Sequence, residues 1–115
     1  MDVHPKFIIE TDEKLGKILI LANCTFHKEL ASDISCIKGG GWWSLDREKN
    51  IFTLYGHSHD FGSATMEDIA ECVQQKKVFS SSSMHRNYTD NYTFLYKDPG
   101  SFLHDLQTYK PTSNG

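Results

Sequence analysis

The sequence predicts a single α/β domain of the α+β kind. Its core is a mixed, mostly antiparallel sheet of about five to six strands, flanked by one main helix over Thr65–Lys77 and one or two short ones. Three observations point there. Short β-branched and aromatic runs recur along the chain, at KFIIE, GKILILANCTF, IFTLYG and NYTFLY. One segment has a clear helical period: in SATMEDIAECVQQKK, Met66, Ile69, Ala70 and Val73 fall at i, i+3, i+4 and i+7. The chain has 115 residues with 38% apolar content, enough for one core and too few for two.

Taken in order, KFIIE (Lys6–Glu10) reads as a strand and TDEKLGK as a turn with Gly16 as its flexible member. GKILILANCTF then completes a β-hairpin. Its alternation puts Ile18, Ile20, Ala22, Cys24 and Phe26 on one face, and Leu19, Leu21, Asn23, Thr25 and His27 on the other. HKELASDISCIK fits one or two helical turns, or a loop leading to a third strand. KGGGWW (Lys38–Trp43) reads as a bulged or kinked strand, because three successive glycines disfavour a helix. The two tryptophans should straddle the sheet, one of them inward. LDREKN is a turn that Asp46 or Asn50 can close, and IFTLYG is the clearest central strand. The helix follows, capped by Ser63 or Thr65, with Glu67 and Asp68 in its first turn and Lys76 and Lys77 in its last. After VF, the run Ser80–Asp90 reads as a polar loop, NYTFLY as a last strand, and KDPGSFLHDLQTY as a short helix starting near Pro99. Residues 1–110 then form the domain and 111–115 a frayed tail.

Composition excludes some classes of function. The net charge of −3 argues against general nucleic-acid binding and against anionic membranes. No apolar run approaches the roughly 18 residues of a membrane span, and the N-terminus lacks the basic-then-apolar order of a secretory signal. The expectation is a cytoplasmic protein, monomeric, with no membrane or nucleic-acid partner. Cys24, Cys36 and Cys72 form no CxxC pair, which leaves free and largely buried thiols.

The chemistry concentrates in YGHSHDFGSA, Tyr55–Ala64. Three readings are open. It is a polar strand-to-helix turn with no further role. Or it is a metal site, with His57 and His59 on one side of an extended segment and His27 as a third ligand. Or it is an anion cradle, in which Gly56 and Gly62 let amides turn inward, Ser58 adds a hydroxyl and the following helix adds its positive end.

The run CIKGGGWWSLDREKNIFTLYGHSHDFGSATMEDIAECV resembles the phosphohistidine phosphatase family, which includes the Janus and Ocnus proteins. The shared order is a triple glycine, a short turn, a strand ending in YG, a serine two residues on, an aromatic–Gly pair and a helix. TFHKEL is similar to the segment bearing the family's catalytic histidine, and KFIIE to its first strand. The resemblance implies a phosphohistidine-phosphatase-like domain that hydrolyses phosphohistidine or phospholysine without a cofactor or metal. By the same resemblance His27 is the general base or nucleophile and Lys6 neutralises the phosphoryl group. Ser58 and the amides of Lys28 and Asp60 hold its oxygens. His57 and His59, which flank Ser58 in this sequence, are further candidates for the pocket. The partner implied is a phosphorylated protein or a small phosphoramidate. An alternative is a non-catalytic module of the same fold that binds an anion or a phosphoprotein. Trp42 stands where the family usually has a basic residue, and Asp60 where a small one is usual.

Overall fold

The computed structural model describes residues 4–24, 34–58, 61–80 and 92–110. They form one mixed sheet of seven strands with one α-helix: β1 (His4–Asp12), β2 (Gly16–Cys24), β3 (Ile37–Asp46), β4 (Ile51–Tyr55), α1 (Met66–Gln74), β5 (Val78–Ser80), β6 (Thr93–Lys97) and β7 (Leu103–Asp105). A single 3-10 turn, Ile34–Cys36, precedes β3. The strand order across the sheet is β5-β2-β1-β3-β4-β6-β7. The pairs β5–β2 and β4–β6 are parallel and the other four antiparallel.

Local chemistry accounts for the turns. Asp12 accepts hydrogen bonds from the amides of Lys14 and Leu15 at 2.8 and 3.0 Å, and Gly16 takes φ +78° to start β2. These two bonds hold the Asp12 carboxyl below its usual range. In the next hairpin Asp46 accepts from Glu48 and Lys49, and Asn50 takes φ +55°. Thr65 caps α1 by accepting from the Asp68 amide at 3.1 Å.

Each sheet face carries its own apolar set. Phe7, Ile9, Leu19, Leu21, Phe52, Leu54 and Phe94 pack with Ile69, Ala70, Cys72 and Val73 of α1. On the opposite face Ile8, Ile18 and Ile20 are fully buried beside Ala22, Ile37 and Phe79. The alternation expected for β2 therefore holds over Ile18–Ala22, while Thr25, Phe26 and His27, to which it was extended, lie outside the described residues. Burial also pushes the Cys72 thiol up to about 12, so it stays protonated, as a packing residue does.

Three expectations are corrected. The strand count is seven rather than five to six. The extra strand comes from KDPGSFLHDLQTY, which forms the β6–β7 hairpin instead of a short helix. There Asp98 Oδ1 accepts from the amides of Gly100 and Phe102, its Oδ2 lies 2.7 Å from His104 Nε2, and Ser101 takes φ +69°. A left-handed residue two positions after proline is a turn conformation that no helix contains. The main helix also ends earlier, at Gln74, so Lys76 and Lys77 lie beyond it. The amides of Lys76 and Lys77 turn back to the carbonyls of Val73 and Cys72, which closes the helix. Among the described residues no helix is long and apolar enough to cross a membrane.

Candidate functional site

The glycine triplet and the serine turn, far apart in sequence, are one structural unit. The Ser58 amide donates to the carbonyl oxygens of Gly40 (3.0 Å) and Gly62 (3.1 Å). Gly62 donates back to Ser58 O at 2.9 Å, and Gly40 donates to Gly62 O at 3.1 Å. The Ser58 hydroxyl accepts from the Phe61 amide at 3.2 Å, and the residue is 1% exposed. Close approach explains the glycines. A Cβ on Gly39 would stand 2.6 Å from Ser63 O, and one on Gly41 would stand 2.5 Å from Tyr55 O. The strand is also irregular here: Ile9 pairs with Gly39 but Glu10 with Ile37, which leaves Lys38 as the extra residue of a β-bulge.

Beside this unit lies Lys6. It sits on β1, in the interior of the sheet between β2 and β3, and is 5% exposed. Its register partner on β3 is Trp42, and its Nζ lies 4.2 Å from the centroid of the Trp42 ring. His4 meets the same ring edge-on at 5.6 Å. Gly56, at φ +74°, gives the indole room, since a Cβ there would stand 2.7 Å from Trp42 Cδ1. The two tryptophans do straddle the sheet. Trp43 joins the helix-side core against Phe52, and its indole N–H donates to the carbonyls of Lys6 and Ala22 at 3.0 and 3.3 Å.

The residues singled out from sequence therefore divide. Ser58 is held against the glycine triplet, and Lys6 against Trp42 on the neighbouring stretch of β3. His57 is exposed and borders a cavity of about 310 Å³ at the C-terminal ends of β4 and β6. His27, Lys28, His59 and Asp60 lie outside the described residues. Among the described residues no three His, Cys, Asp or Glu side chains gather in a way that could hold a metal.

Sequence reasoning missed the β6 side of that cavity wall: Tyr96, Lys97, Asp98 and Pro99. A signal was present, since two strands end alike, in Tyr55–Gly56 and in Tyr96–Lys97–Asp98–Pro99. Using it requires the parallel pairing of β4 with β6, which local patterns do not reveal.

Comparison with protein-family models, with curated proteins and with solved structures returned no match.

Proposed function

We propose that this protein hydrolyses the phosphoramidate bond of phosphohistidine or phospholysine, without a metal. One observation carries the reading. The glycine triplet and the Ser58 turn, whose order along the chain makes the resemblance, are hydrogen-bonded to each other through Gly40 and Gly62. In this reading His27, a side chain with an ordinary pKa of about 6.5, takes a proton from water as the water attacks phosphorus. The P–N bond breaks, the leaving nitrogen is protonated, and orthophosphate and free histidine result. His27 acting as the nucleophile gives the same products through a phosphoenzyme. The Ser58 hydroxyl, with the amides of Lys28 and Asp60, would donate to the phosphoryl oxygens and Lys6 would neutralise them, which is the electrostatic part of such catalysis.

A specific observation favours a second reading, an anion- or phosphoprotein-binding module without turnover. The Ser58 and Phe61 amides are already engaged within the turn, and the Lys6 ammonium rests on an indole. The deciding experiment is phosphate release from a phosphohistidine peptide, comparing wild type with His27→Ala in the presence of a chelator. Turnover that survives chelation and is lost in the variant supports hydrolysis. Saturable peptide binding with no phosphate release moves the assignment to the binding module.

A further inference from the structure

We propose that His4 is a second phosphoryl-contacting residue, acting beside Lys6 with Trp42 as their common support; this rests on the reading above, in which Lys6 meets the phosphoryl group. Lys6 is 5% exposed, yet its ammonium makes no hydrogen bond or ion pair among the described residues. Every fully buried polar side-chain atom described does have a partner, so the tip of this lysine still reaches solvent. The rest of the side chain is out of water, and a charge held in that way costs free energy until an anion meets it. The indole of Trp42 offsets only part of that cost. Carboxylates of the same sheet face do not offset the rest. On β1 and β3 these are Glu10 and Asp46, each four residues along its strand from Lys6 or Trp42, roughly 13 Å away. The counter-charge that Lys6 calls for is therefore an external anion.

His4 is placed to meet the same anion. It stands two residues before Lys6 on β1, so both side chains leave the sheet on one face, about 7 Å apart at their roots. Phe7 and Trp43 mark the opposite face, in the helix-side core. The two side chains also converge on one ring. Lys6 Nζ lies 4.2 Å from the Trp42 centroid, and the His4 ring lies 5.6 Å from that indole, at an interplanar angle of 71°. Gly56 packs against the indole at Cδ1, where a Cβ would stand at 2.7 Å, so the shared support is held in place. His4 itself is exposed, and its ring nitrogens make no hydrogen bond or ion pair among the described residues. An imidazole keeps an N–H donor in either protonation state. Two bonds of about 2.8 Å to different oxygens of one phosphoryl group bridge donors several ångströms apart. Neighbouring side chains on one strand face supply that separation.

The test is a titration of the isotope-labelled full chain with inorganic phosphate, followed by NMR at the His4 ring and the Lys6 side chain, in wild type, His4→Ala and His4→Gln. The expected result is saturable shifts at both residues in wild type and about tenfold weaker phosphate binding in His4→Ala. His4→Gln, which keeps an N–H donor, should retain most of the affinity. Urea unfolding of His4→Ala should stay close to wild type, which separates lost contact from lost structure. Phosphate that shifts Lys6 but binds His4→Ala as tightly as wild type overturns the proposal and leaves the phosphatase reading standing. Absence of saturable shifts at Lys6 and His4 in wild type overturns it as well. Tenfold weaker phosphate binding in His4→Ala, with no phosphate released from a phosphohistidine peptide by any of the proteins, sustains the contact while the phosphatase reading fails.

Discussion

Gly39 and Ser63 are packed so closely that a Cβ on the glycine would stand 2.6 Å from the serine carbonyl oxygen. Gly39 also has φ +141°, a region that L side chains rarely adopt. Gly62, on the loop packed against it, has φ +76° and open space around it. The two glycines should therefore respond differently to alanine. Gly39→Ala combines a backbone clash with strain and should lose about 3 kcal/mol of stability. Gly62→Ala carries only the conformational term and should lose about 1 kcal/mol. Urea unfolding of both variants checks this, and equal losses would mean that the loop does not press on β3.

A second prediction concerns Lys6 and Trp42. An ammonium 4.2 Å from an indole centroid in a buried setting gains about 1–2 kcal/mol. A double-mutant cycle with Lys6→Met and Trp42→Leu should return a coupling of that size. Under the proposed phosphatase reading, releasing Lys6 has a further consequence. Trp42→Arg frees the lysine and adds a second cation beside the Ser58 turn, so phosphohistidine turnover should rise several-fold. A fall in turnover would instead make the indole part of the substrate site.

Local signals made about half of this molecule legible. The β1–β2 hairpin follows from Asp12 and Gly16 in the turn, and α1 follows from Met66, Ile69, Ala70 and Val73 on one side with Thr65 as cap. The bulge at Lys38 and the opposed tryptophans follow from the glycine triplet. What escaped is non-local or depends on side-chain bonds across a turn. KDPGSFLHDLQTY has helical residues, but Asp98 takes two amides and His104 and ties a hairpin. In the site, the backbone bonds of Ser58 to Gly40 and Gly62 could not be read, because they exist only once β3 and the turn have met.

The β6–β7 turn gives a pH prediction. The His104 side chain, then the Phe102 and Gly100 amides, hold the Asp98 carboxyl below its ordinary value of about 3.9. A carboxyl depressed in the folded state adds stability that is complete above its unfolded pKa and is lost as pH falls through the folded value. Asp98→Asn should therefore be less stable than wild type at neutral pH, and the gap should shrink progressively below pH ~4. Denaturant unfolding of the two proteins across the acid range measures the gap. A gap independent of pH would assign the effect to turn shape and not to charge.

The end of α1 offers a gain in stability. Lys76 occupies the left-handed position after the helix, at φ +59°, while its amide bonds to Val73 O and the Lys77 amide to Cys72 O. This closing pattern favours glycine, because any Cβ in the left-handed region crowds the following carbonyl at about 1–2 kcal/mol. Lys76 also makes a further interaction. The net result for Lys76→Gly should be a gain of about 0.5–1 kcal/mol, with a melting temperature several degrees higher for a domain of this size. Lys76→Ala, which retains the Cβ and loses the rest of the side chain, should show no gain. If both variants lose stability alike, the side chain of Lys76 contributes more than its backbone strain costs.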